Sequence, residues 1–157
     1  MKETPLSISG ADTSFLFSLY GKDVFTPVAE RLIATLDGPV GVSVITVYEF
    51  ENAVRFAVFR KSIAAEQGAG MRDDFAADMN AGRVTEIPLN LAAVFAEARR
   101  LSRLKTEGGG HRSYDILHVA AARIVKSERF LSFDENQRKL ARFAGLKILP
   151  SRSVAMR

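Results

Sequence analysis

Apolar residues at positions 25, 28, 32, 33 and 36 recur at helical spacing between Asp23 and Gly38, and the pattern stops on a glycine. Just after it, "GVSVIT" (41–46) is β-branched and alternating, which predicts a strand. The same two periods take turns along the rest of the chain. "PLSISGAD" (5–12) predicts a weak first strand and "TSFLFSLY" (13–20) a short helix. "VYEFENAVRFAVFRKSIAAEQ" (47–67) predicts one long helix with Val47, Phe50, Val54 and Val58 on a core stripe, and Tyr48, Phe56 and Phe59 on a second. A helix over about 69–81 ends at Gly82, and "RVTEIP" (83–88) is a short strand closed by Pro88. "NLAAVFAEARRLSRLK" (90–105) is an amphipathic helix with Asn90 as its N-cap. The triplet Gly108-Gly109-Gly110 reads as a flexible turn before "RSYDILHVAAARIV" (112–125), a helix apolar on most sides. "ERFLSF" (128–133) is a strand, "DENQRKLARFAG" (134–145) a helix and "LKILP" (146–150) a last strand. Strands alternating with helices imply an α/β fold, with a mostly parallel central sheet and helices on both faces. The reading is one domain over 1–150 and a frayed tail over 151–157.

At 157 residues the chain is long enough for a single sizeable core, and its 47% apolar and 25% charged content is ordinary for a globular protein. "GPVGVSVITVY" is the longest apolar run and is too short to span a membrane. The first residues, "MKETPLSISGADTS", carry an acid and no uninterrupted apolar segment, so no secretory signal is expected. There is no cysteine, which removes disulfides and thiolate metal sites and fits a cytoplasmic protein. A net charge of +4 leans toward a polyanionic partner, nucleic acid before a membrane surface.

Ligands of open parallel sheets bind beyond the carboxyl ends of the strands. Asp12 follows the first strand, Glu49 lies a helical turn after the second, Asp115 opens the buried helix and Asp134 follows "FLSF". Each acid has a structural reading. Asp12 and Asp134 suit N-caps, "TVYE" (46–49) and "DENQ" (134–137) match capping boxes, and Asp115 behind a Ser113 cap would complement the helix dipole. Gathered on one sheet edge, however, they pose an electrostatic problem. Two carboxylates about 5 Å apart repel by roughly 3 kcal/mol at an effective dielectric near 20. Either some are protonated or a divalent cation holds them, and hard oxygen donors suit Mg²⁺ or Mn²⁺.

The motifs "ADTSFL", "TVYE", "SYDILHVAAA" and "FLSFDENQRKLARFAGLKIL" resemble, in order and spacing, those of PIN-domain proteins, most closely the VapC-type toxins of toxin–antitoxin pairs. The resemblance runs from Asp12 to Leu149. It implies a PIN-like three-layer domain and metal-dependent endoribonuclease activity, with products carrying 5′-phosphate and 3′-hydroxyl ends. The family's acidic cluster maps onto Asp12, Glu49, Asp115 and Asp134, and its supporting hydroxyls onto Thr13 and Ser132, where threonine is the commoner residue. Its partners would be an RNA substrate, a cognate antitoxin and a second copy of the chain.

Arg103, Lys105 and Arg112 are the candidate RNA-gripping cations, against the alternative of a solvated helix end. His118, three residues after Asp115, reads as a ligand or proton shuttle, or as a partly buried histidine hydrogen-bonded beside the site. Two other classes compete with a nuclease. A phosphotransfer or receiver domain also carries an acid after its first strand, but needs a second acid where Ser14 stands. A catalytically silent RNA-binding or protein-interaction module would have the same fold.

Overall fold

The computed structural model describes residues 7–152. Five parallel strands of three residues each form the sheet: β1 (Ser9–Ala11), β2 (Val40–Val42), β3 (Val84–Glu86), β4 (Arg129–Leu131) and β5 (Lys147–Leu149), in the order β3-β2-β1-β4-β5. Seven helices connect them among the described residues: α1 (Thr13–Tyr20), α2 (Thr26–Thr35), α3 (Val44–Phe59), α4 (Ala65–Asn80), α5 (Leu91–Gly109), α6 (Ser113–Ile124) and α7 (Glu135–Phe143). β1 lies at the centre, where Gly10 stands level with Gly41 of β2 on one side and Phe130 of β4 on the other.

Side chains alternate across a strand, and here each face has its own apolar layer. Phe130 points into a core built with Val94 and Leu101 of α5, Val119 and Ala120 of α6, and Leu140 of α7. Its neighbour Leu131 points the other way, into a core with Phe15 and Leu16 of α1, Phe50 and Val54 of α3, and Met71 and Phe75 of α4. The result is a three-layer α/β sandwich.

Several boundaries differ from the sequence pattern, each for a visible reason. The strand expected over 41–46 stops at Val42. Ser43 caps a helix there, its Oγ accepting from the Thr46 amide at 3.2 Å, so Val44, Ile45 and Thr46 are helical despite their β-branched side chains. The long helix expected over 47–67 is two helices. Lys61 takes a left-handed conformation at φ 59°, the Ser62 amide bonds the Ala57 carbonyl and the Lys61 amide that of Val58, which is a Schellman stop. Gly108 and Gly109 belong to α5 rather than to a loose turn, and only Gly110, at φ 66°, leaves the helix. The helix expected over 23–38 is confined to 26–35. Pro5 and Leu6 of the first predicted strand and residues 153–157 of the predicted tail lie outside the described residues.

A candidate acidic site at the switch in strand order

The chain lays strands outward from β1 to β2 and β3, then returns beside β1 with β4 and continues to β5. The switch therefore falls between β1 and β4, where an open parallel sheet leaves a crevice at its carboxyl edge. Asp12 occupies that point. Its amide bonds the Leu131 carbonyl at 3.1 Å, and its side chain caps α1 by accepting from the Phe15 amide at 2.9 Å. The carboxylate is fully buried and takes two further bonds, from Ser14 Oγ at 2.7 Å and from Ser132 Oγ at 2.5 Å. Burial pushes the Asp12 carboxyl up to about 6; the bonds from Ser132, the Phe15 amide and Ser14, and the neighbouring His118, offset this only in part.

Ser132 links two acids, donating to Asp12 while accepting from the Asp134 amide at 3.1 Å. Asp134 caps α7 through the Gln137 amide at 2.8 Å. The Gln137 side chain reaches back to the Asp115 carbonyl at 3.2 Å and so ties α7 to the first turn of α6. Asp115 pairs with Arg112, Nε to Oδ2 at 3.1 Å. Glu49, on the second turn of α3, faces α6 and meets His118 Nε2 at 3.0 Å, while His118 Nδ1 lies 3.1 Å from Thr46 Oγ1. Burial raises the Glu49 carboxyl, but the bond and charge of His118, the Thr13 hydroxyl and the charge of Arg112 outweigh it and hold the group below its ordinary range.

Glu49, Asp115 and Asp134 thus line one open cleft with Thr13, Ser14, Arg112 and Gln137, and Asp12 lies beneath its floor, bonded to Ser14. The donor set consists of carboxylate and hydroxyl oxygens, which fits a hard divalent cation in kind, and the incompletely compensated Asp12 is where added positive charge would relieve most strain. Among the described residues, no three acidic or histidine side chains already stand in a coordinating arrangement.

The capping expectations divide. Asp134 is a cap and lines the cleft, and Asp12 is a cap buried beneath its floor. Glu49 is not the partner of a Thr46 cap, because Ser43 takes that position; nor does Ser113 cap α6, whose N-cap is Arg112 with no side-chain bond. Of the three candidate cations only Arg112 lines the cleft. Arg103 is exposed on α5, and the Lys105 ammonium sits 4.0 Å from the centre of the Phe143 ring in a neighbouring cleft. Ser14, Gln137 and Asp23 also line the acidic cleft; the sequence pattern marks Gln137 only as the reciprocal residue of a capping box, and its side chain instead bonds the Asp115 carbonyl. Ser14 has a local signal as a site residue, a hydroxyl two residues after a capping aspartate; nothing local marks Gln137 or Asp23 as facing the cleft.

The fold has solved relatives. A Mycobacterium tuberculosis toxin described as cleaving the sarcin-ricin loop, VapC20, superimposes with a TM-score of 0.60 at 19% identity, over 85% of this chain and 94% of that one. VapBC2 of Rickettsia felis, bound to a fragment of its promoter, gives 0.61 at 20% identity over 90% and 96%. FitAcB of Neisseria gonorrhoeae gives 0.59 at 17% identity over 92% and 97%. No curated protein sequence matches significantly. The PIN domain family model matches residues 11–143, from the end of β1 to the last residue of α7. The chain belongs to the PIN-domain family.

Proposed function

We propose that the protein is a metal-dependent endoribonuclease, the toxin of a toxin–antitoxin pair, working at the Asp12 cleft. One observation carries this reading: a fully buried carboxylate at the β1–β4 switch, raised to about 6, beneath a cleft that three further carboxylates line. The structural relatives VapC20 and VapBC2 support the class of substrate and the kind of partner.

Asp12, Glu49, Asp115 and Asp134 would hold Mg²⁺ or Mn²⁺, with Thr13 and Ser132 in support. When bound, the ion supplies Lewis acidity toward water and neutralises charge developing at the phosphodiester. The protein's own part is placement. Asp115 sits in the first turn of α6 and Asp134 caps α7, so both carboxylates are carried by helix N-termini at the rim of the cleft. His118 and Thr46 fix the Glu49 carboxylate from behind, and the Ser14 and Ser132 hydroxyls fix that of Asp12. Arg112 is largely exposed at the rim and paired through Nε with Asp115, which leaves its remaining N–H groups to meet a phosphate beside the acids. The groove between α3 and α5, lined by Val44, Tyr48, Leu91, Phe95 and Tyr114, is the apolar surface available to a second copy or an antitoxin.

The test is incubation of labelled RNA with the purified protein in Mg²⁺ or Mn²⁺ and in EDTA. Cutting with metal, none in EDTA, and fragments ending in 5′-phosphate and 3′-hydroxyl are expected. Fragments with 2′,3′-cyclic phosphate ends would contradict hydrolysis by an activated water.

A further inference from the structure

A second cleft lies beside the acidic one, and its chemistry is the opposite. Lys105, His111, Asn136, Lys139 and Phe143 line it together with the glycines that end α5, and no carboxylate does. The two clefts share their walls. Asp134, the cap of α7, and Gln137 line the acidic cleft, while Asn136, Lys139 and Phe143 of α7, at i, i+3 and i+7, form the adjacent stripe that faces the second cleft. In the α5–α6 connection His111 lines one cleft and Arg112 the other. The arrangement is firmly held. Asn136 Nδ2 donates to the Gly109 carbonyl at 3.2 Å, and the His111 ring folds back so closely that a Cβ at Gly109 would lie 2.6 Å from Nε2. Phe143 carries the Lys105 ammonium over its face, and neither lysine has a carboxylate partner among the described residues.

This juxtaposition matters because an acidic cleft repels the polyanion it is proposed to cut. A strand crossing it needs cations on its flank, and Arg112 alone, already paired with Asp115, is a weak hold. We propose that the Lys105–Lys139 cleft is a phosphate subsite for single-stranded RNA, gripping the backbone next to the segment that lies over the acids. The inference rests on the nuclease reading and deepens it. It moves the RNA contact from the Arg103 side of α5 to the face where α5 meets α7, and it adds Lys139, His111 and Asn136 to the contact.

The experiment measures binding without cleavage. The affinity of the full chain for a short, unstructured, fluorescein-labelled RNA of mixed sequence is followed against salt concentration in EDTA, for wild type, the double variant Lys105→Gln/Lys139→Gln, and Arg72→Gln on α4 across the sheet as a control. Two lost phosphate contacts lower the slope of log K against log salt by about 1.4, at about 0.7 per contact for single strands, while the control leaves it unchanged. An unchanged slope in the double variant, with wild type cutting RNA in Mg²⁺, overturns the subsite and leaves the nuclease standing. A wild-type protein that neither binds nor cuts RNA overturns both.

Discussion

At the scale of single residues, Asp12 decides most. Its carboxyl stands at about 6 against an ordinary 3.8, so between those values the folded chain holds a proton that the unfolded chain has released. Stability therefore falls as pH rises through that window, by about 3 kcal/mol for a shift of this size. Above the window the metal-free fold carries a buried charge that it would be more stable without. In EDTA at neutral pH, Asp12→Asn is accordingly expected to raise the urea midpoint, and to flatten the fall in wild-type stability between pH 4 and 6. A variant less stable than wild type at pH 7, with the same pH profile, would show that the carboxylate is well compensated as it stands. The chemistry of this residue was legible in the sequence, since an acid after a first strand both caps a helix and faces a ligand edge. The hydroxyls that fix it were only half legible. Ser132 comes with the family resemblance and the Ser14–Asp12 bond is local, whereas the bond from the Phe133 amide to Ser14 depends on α1 and the β4–α7 connection meeting in space.

At the scale of elements, period and caps locate nearly every helix and strand, and each exception has its own physical reason. Glycine marks a helix end by sequence, as at Gly82 and Gly145, both in the left-handed region. The stop at Lys61 has the same hydrogen bonds without the glycine, so nothing in "FRKSIAAEQ" announced it. In α3 the short strand before it and the Ser43 cap override the β propensity of Val44, Ile45 and Thr46, a case of context defeating a weak local preference. The α3–α4 contact that results can be tested at two glycines of α4. A Cβ at Gly68 would lie 2.7 Å from Val58 Cγ2, whereas one at Gly70 meets nothing within 4 Å. Gly68→Ala should therefore destabilise by about 1–3 kcal/mol from overpacking, less the helix-propensity gain. Gly70→Ala should stabilise by roughly 0.5–1 kcal/mol. Equal effects of the two substitutions on the denaturation midpoint would mean that α4 does not pack on α3 through Gly68.

At the scale of the whole molecule, strand order makes the site. Alternation, and hence a parallel sheet, is legible in the sequence, but the order β3-β2-β1-β4-β5 is not, because pairing partners depend on how the crossovers wind. Once β4 returns beside β1, the residues following those two strands, Asp12 and Ser132, are brought within a hydrogen bond although 120 positions separate them. α6 and α3 then add Asp115 and Glu49 from opposite layers. The basic residues of α5 point elsewhere, which sequence order could not reveal, since Lys105 and Arg112 are near neighbours along the chain and line different clefts.

The measurement that tests the central claim most directly is single-turnover cleavage of labelled RNA in Mn²⁺ and Mg²⁺ by wild type and Asp115→Asn, with the fold of each checked by its denaturation midpoint. Loss of an outer-sphere partner typically costs a metal site 10–100-fold, so replacing a carboxylate that holds the ion should slow cleavage by more than about 100-fold while the protein stays folded. A folded Asp115→Asn protein that cuts RNA at the wild-type rate, with the same dependence on metal, would show that the acidic cleft at the β1–β4 switch is not the site of the chemistry.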